Sequence, residues 1–292
     1  MPAKKIAFVL LFLCTIFWGI GGPLIKYSFQ FISPFEFLFW RFLVASIISF
    51  PFLVWYLKKY PLTISDFPKL LILSLFGTFL NLALVFFGLS KTTVVETAII
   101  GSLQPMFVAI AGALFLKELL TRNKLFGIIL AIAGTLIAIV NPIITNGLDN
   151  SNLPGNIFVL LGIFCWILFV ILSKKWESAR LKPFHITSIS FFTGLIGFFL
   201  LSIFTVGIEQ ATTIPQKALP AILYMAIFGS LIAFTFYEYA LTKIEASQVE
   251  IFSYISPIWS VIIAVIWLKE KFDPILIISA IFIVIGVVIA EH

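Results

Sequence analysis

The sequence has little charge. Asp, Glu, Lys and Arg make up 11% of its 292 residues, against roughly a quarter in soluble domains. That excludes a water-soluble enzyme. Cysteine is scarce too. Cys14 and Cys165 both lie in apolar runs, which excludes a disulfide framework, and neither has His or Cys at metal-ligand spacing. Histidine occurs only as His185 and His292, so Ser/His hydrolysis and His-rich metal sites have almost nothing to draw on. No G-x-x-x-x-G-K-[ST] motif is present: Lys91-Thr92 follows Ser90, not Gly. ATP-driven transport by this chain is therefore not expected. The net charge of +6 comes from scattered Lys and Arg, with no basic patch or recognition motif for nucleic acid. No cofactor, metal or nucleic-acid partner is expected.

What the sequence has in abundance is apolar length. Apolar residues make up 61% of it and aromatic ones 16%, with a mean hydropathy of +1.16. Charge-free runs span 6–25, 70–90, 97–116, 125–148, 150–173, 183–208, 218–237, 251–268 and 274–290. A tenth, 37–57, is interrupted only by Arg41. A bilayer-crossing helix needs about 20 apolar residues, with about 17 still workable. The strict alternation of a lipid-facing barrel strand is missing. The expected fold is an all-α membrane protein of ten transmembrane helices, with the bilayer as its solvent. Run 6–25 is too long for a signal peptide and no Ala-x-Ala site follows it, so it is read as mature structure.

Lys and Arg set the expected orientation. With the N-terminus in the cytoplasm, thirteen fall inside, five outside, and Arg41 within a helix. Both termini are expected in the cytoplasm, in the cytoplasmic (inner) membrane of a prokaryote.

The chain also repeats itself. At an offset of 152, Phe76-Gly77 meets Phe228-Gly229, Pro105 meets Pro257, Leu116-Lys117-Glu118 meets Leu268-Lys269-Glu270, and Gly134 meets Gly286. Earlier helices follow with small slips: Trp18 and Lys26 match Trp166 and Lys174 at 148, and Pro34 matches Pro183 at 149. Each repeat holds five helices, an odd number, so the second enters from the opposite side. Residues 1–146 and 147–292 are read as two inverted five-helix repeats, joined by the polar, turn-rich segment 142–155. Inverted repeats suit alternating access, because two copies of one unit can exchange two shapes. Duplication without alternating access, as in some channels, is the alternative.

These features resemble the ten-helix EamA-type transporters of the drug/metabolite transporter superfamily. The resemblance rests on Trp18-Gly19 with Lys26 eight residues after the Trp. It rests equally on a Pro thirteen residues before a Glu, found twice, in LQPMFVAIAGALFLKE and ISPIWSVIIAVIWLKE. It covers about residues 6 to 290. It implies a gradient-coupled carrier or exchanger of small organic metabolites, such as amino acids or amphipathic compounds. A channel, and behind it an intramembrane enzyme, are the competing readings. A monomer is expected, with a dimer as the alternative.

Ionisable and polar groups at membrane depth mark candidate sites. Glu238 is the deepest lone carboxylate, with Phe86 at its place in repeat one. It is expected to face the cavity and bind a cationic group or carry a coupling proton. Pairing with Lys243 at the interface is its structural alternative. Glu96, Gln248 and Glu250, near the starts of helices 4 and 9, are the other candidates for a gate or proton coupling. The helix dipole alone would also suit acids there. Gln104, Ser253 and Tyr254 precede Pro105 and Pro257, whose kinks free backbone carbonyls. Trp18, Trp166, Asn81 and Tyr237 complete the expected substrate-binding set. For Asn81 a helix–helix hydrogen bond is the competing role. Lys26 and Lys174 are expected to snorkel. The fifth and tenth helices, nearly free of polar groups, are expected at the periphery.

Overall fold

The computed structural model describes the backbone of residues 3–92, 97, 100, 101, 103–146, 153–176, 181–267 and 275–291. Glu96 and Glu270 lie outside the described residues. Among the described residues the chain is helical and contains no strand. Helix α1 covers Ala3–Ser28, α2 Pro34–Lys59, α3 Ile64–Lys91, α4 Gln104–Leu116 and α5 Arg122–Asn146. Helix α6 covers Leu153–Trp176, α7 Pro183–Val206, α8 Gln216–Leu241, α9 residues 246–267 and α10 Ile275–Glu291. A single helical turn, Ile208–Ala211, leads from α7 toward α8. Among the described residues α1, α2, α3, α6, α7 and α8 are long and apolar enough to cross a membrane. Helix α4 and the part of α10 from Ile281 to Ala290 are shorter apolar helices.

Local chemistry sets these boundaries. Ser33 and Glu36 form a reciprocal capping box that starts α2, with Pro34 in its first turn. Helix α5 runs on to Asn146, so the first five residues of the expected linker are helical. Ile143 and Ile144 carry the apolar pattern past Pro142. Pro105 stands in the first turn of its α-helical stretch, directly after a turn at Leu103. Pro257 likewise follows a tighter 3₁₀ turn, Phe252–Ile255. Each proline therefore opens a fresh run of α-helix where the chain has just changed pitch, as its missing N–H requires. Three wider, π-helical stretches among the described residues were not foreseen. One is Gly112–Leu116 in α4. The other two, Leu75–Leu80 in α3 and Met225–Ile232 in α8, correspond between the repeats, and their shared end falls at the 152 offset.

The polarity is inside out relative to a soluble protein. Ile47, Phe52, Phe115, Phe204 and Ile278 are exposed, while Arg41, Asn81, Glu238 and Glu250 are buried. Apolar exteriors of this extent belong to a surface covered by lipid.

Helix pairings come in matched sets. Helix α3 packs on α6, and α8 on α1; α4 packs on α6, and α9 on α1; α3 packs on α7, and α8 on α2. Helices α2 and α7, α4 and α9, and α5 and α10 pack as pairs. Exchanging each helix with the one five places on maps every one of these pairs onto another or onto itself. Small residues make the contacts close. A Cβ on Gly127 would stand 2.4 Å from the Gly286 carbonyl oxygen, so α5 and α10 touch backbone to backbone. The α3–α6 and α1–α8 contacts are tied at matching heights from opposite partners. Asn81 Nδ2 donates to the Gly162 carbonyl at 2.9 Å. Cys14 Sγ, at the place corresponding to Gly162, donates to the carbonyl of Ala233, at the place corresponding to Asn81, at 3.2 Å.

Candidate functional site

The buried polar groups converge where α1, α4, α6, α8 and α9 meet. Glu250 is the centre. It lies one turn into α9 and is 0% exposed. Trp166 Nε1 donates to its Oε1 at 2.8 Å, and the Tyr237 hydroxyl donates to the same oxygen. Gln104 Nε2 donates to Oε2 at 2.9 Å, and Ser253 Oγ to Oε2 at 3.2 Å. Four donors from α4, α6, α8 and α9 thus hold one carboxylate, each adding a hydrogen bond to a charged acceptor. None of the four is a backbone amide, so the bonds that hold Glu250 come from side chains rather than from a helix N-terminus.

Aromatic rings wall this carboxylate. Trp166 and Tyr237 lie 5.2 Å apart, Trp18 and Tyr237 5.7 Å, and Trp18 and Trp166 6.4 Å, centroid to centroid. Trp18 Nε1 donates to the Gly229 carbonyl at 2.9 Å, in the wide turn of α8. Gly19 explains the Trp-Gly pair: a Cβ there would meet the Ser256 carbonyl oxygen at 2.6 Å, so only glycine lets α9 lie this close to α1.

Arg41 stands beyond Trp18. It is 6% exposed, and its Nε donates to Ser230 Oγ at 2.6 Å. Its Nη2 reaches the same Gly229 carbonyl at 3.5 Å. The matching position in repeat two, Ser190, shares a hydrogen bond of 3.1 Å with Ser74. The guanidinium therefore has no second copy.

Glu238 is equally buried. Its Oε2 accepts from Ser173 Oγ at 2.8 Å, not from Lys243, whose ammonium lies over the Tyr239 ring. Asn81 bridges α3 to α6 rather than joining the Glu250 group. Tyr254 is buried among Ile128, Ala131, Ile283 and Val287 of α5 and α10. Gln248 is buried near the head of α9. Of the expected residues, Trp18, Trp166, Tyr237, Gln104, Ser253 and Glu250 come together. Asn81 instead bonds to α6 and Glu238 to Ser173, and Glu96 lies outside the described residues.

Three contacts escaped the sequence reading. Ser173 follows Trp166 by seven residues, two helical turns, so both share a face; that spacing was the available signal. Glu118, the Glu of the doubled motif, accepts from the backbone N–H groups of Ala246 and Ser247 at 2.7 and 3.1 Å and from Ser247 Oγ at 2.8 Å. It caps the first turn of α9 from the other half. Lys124 pairs with Glu245 beside it.

The two ends of the bundle differ. At one end Lys174 Nζ donates to the carbonyls of Leu241 and Ile244 at 2.5 and 2.9 Å, closing the last turn of α8. The residues equivalent to Lys174, Leu241 and Ile244 are Lys26, Leu89 and Thr92. These line a cavity of about 620 Å³, with Gln30, Ser33 and Gln210. Lys26 there is exposed.

A buried carboxylate inside a helical bundle with an apolar exterior fits a membrane transport protein. The chain belongs to the EamA-like transporter family, whose model matches it twice, over residues 5–140 and 153–290. It is similar to the uncharacterized transporter YyaM of Bacillus subtilis, 27% identical over 97% of this chain and 93% of that one. An uncharacterized transporter of Archaeoglobus fulgidus is 28% identical over 96% of this chain and 95% of its own. Uncharacterized transporter YetK of Bacillus subtilis is 30% identical over 80% of this chain and 71% of its own. A solved protein crystal structure, 17% identical, superposes with a TM-score of 0.81 over 97% of this chain and 96% of that chain, a likeness of fold. The protein is thus a multi-pass membrane transporter rather than an enzyme.

Proposed function

We propose that the protein is a secondary carrier that exports or exchanges small organic metabolites, such as amino acids or amphipathic compounds, by alternating access. Its ten helices cross the cytoplasmic membrane of a prokaryote as two inverted halves, 1–146 and 147–292, with both termini in the cytoplasm. The carrying observation is the unequal state of two equivalent ends. Lys174 is seated on the carbonyls of Leu241 and Ile244, while Lys26 stands exposed at a cavity lined by the matching Leu89 and Thr92. The lysine is seated at one end and exposed at its counterpart, a difference that supports two ends able to take unlike states, as alternating access needs. The matched helix pairings support the two-fold relation of the halves. On this reading the Glu250 group is the central site.

The test is counterflow in liposomes containing the purified protein, screened with amino acids, nucleosides and drug-like cations. Saturable uptake accelerated by the same compound on the far side is the expected result. Flux that neither saturates nor responds to the far-side compound would make the protein a channel.

A further inference from the structure

We propose that Glu250 and the rings of Trp18, Trp166 and Tyr237 form a binding site for an organic cation: a protonated amine or quaternary ammonium on an apolar or aromatic body. This deepens the carrier reading and rests on it only for the passage of the ligand across the membrane, not for its binding.

The first ground is charge. Glu250 is 0% exposed, in a protein whose exterior faces lipid. All four groups bonded to it are neutral donors. The ion pair of Lys124 with Glu245 lies elsewhere. Neutral donors solvate a carboxylate but leave its charge uncancelled, and a charge at membrane depth is costly until it is neutralised. The missing partner is a positive charge. An anionic ligand would add a second negative charge to the same enclosure.

The second ground is the wall. Three rings lie within 5.2 to 6.4 Å of one another beside the carboxylate. Aromatic faces attract ammonium groups, most strongly where water is excluded. A site for a bare proton needs no such wall.

The third ground is access. Oε1 is held by Trp166 and Tyr237, which are 9% and 1% exposed. Oε2 is held by Gln104 and Ser253, both half-buried. The ligand's ammonium therefore enters on the Oε2 side and displaces the Gln104 amide. Arg41, past Trp18, sets the opposite sign at the other end of the aromatic wall. It orients the cationic end of the ligand toward Glu250 and disfavours a second cationic end.

Calorimetric titration of the whole protein in detergent tests this, using phenethylammonium, 2-phenylethanol and phenylacetate at pH 7. The three share a ring and differ in charge. Phenethylammonium is expected to bind at least about tenfold more tightly than the other two, a factor within the range of a desolvated cation–ring contact. Glu250→Gln, which keeps the shape, should abolish that preference. Should Glu250→Gln fail to fold, Gln104→Leu decides instead. It removes the competitor for Oε2 and should tighten phenethylammonium several-fold relative to 2-phenylethanol. Equal affinity for amine and alcohol, a preference that survives Glu250→Gln, a Gln104→Leu variant with an unaltered amine preference, or no binding of any of the three overturns the proposal. Loss of counterflow with cation binding intact would instead count against the carrier reading alone.

Discussion

Lys174→Gln is the sharpest perturbation of the closed end. The wild-type ammonium donates to the Leu241 carbonyl at 2.5 Å and the Ile244 carbonyl at 2.9 Å. Leu241 ends α8, where carbonyls lack intrahelical partners, and Ile244 lies in the connection just beyond it. Charge-assisted bonds contribute about 1.5–3 kcal/mol each when buried, but Lys174 is half-buried, so solvent takes back much of this. About 2 kcal/mol for the pair is a reasonable net. If that energy favours only the conformation closed at this end, its loss shifts the balance toward opening there by roughly 30-fold. The assay is the labelling rate of Leu241→Cys by a water-soluble maleimide. Leu241 is 2% exposed directly beneath the latch. The background should lack Cys14 and Cys165. Labelling should rise by roughly that factor in Lys174→Gln, up to the limit set by a fully open end. Lys26→Gln should not raise it, because Lys26 is already exposed in this conformation. An unchanged rate in Lys174→Gln, or an equal rise in Lys26→Gln, would refute the assignment of the two lysines to opposite conformations.

Other substitutions probe the frame. Glu118→Ala removes three bonds at the head of α9 and should cost about 1–2 kcal/mol, read as a lower melting temperature in detergent. Gly127→Val forces apart helices whose backbones touch and should cost about 1–3 kcal/mol; a melting temperature equal to wild type would mean that α5 and α10 are not packed as described. Asn81→Leu loses the bond to the Gly162 carbonyl. It should cost roughly 0.6 kcal/mol and no more than about 1.7, and leave substrate affinity unchanged in a binding titration. A change in affinity would move Asn81 into the substrate site.

The positions of the apolar helices could be read directly from the sequence, because lipid imposes a composition on each of them. Arg41 as a group without a counterpart was equally legible, because the repeat supplies its own control at Ser190. Two things were not. The first was which side chains gather around Glu250. Glu238 reads as the deepest lone carboxylate because it lies within its apolar helix, four residues before Thr242, with Phe86 at the matching place. Glu250, at the edge of its charge-free run, is instead surrounded by donors from α4, α6 and α8, and spacing within α9 says nothing about what other helices bring to it. The second was the reason for the motif glutamate. Glu118 lies far from Ala246 in sequence, and its capping contact exists only because α4 and α9 pack together.

The wide turns of α3 and α8 have a consequence for chain length. A π-helical turn holds one residue more than an α turn, so it absorbs an extra residue without twisting the helix beyond it. One residue can thus be removed from Met225–Ile232 and the turn can tighten to α geometry, leaving Tyr237 and Glu238 facing as before. The same deletion within Ala233–Leu241 has no slack to draw on and swings every later position by about 100°. Deletion in the wide turn also withdraws the Gly229 carbonyl from its wide-turn geometry, where Trp18 and Arg41 both reach it. A one-residue deletion scan along α8, scored by folded yield, should therefore show a tolerated window at 225–232 flanked by intolerant helix. The variants that survive should have a Trp18 environment altered in fluorescence.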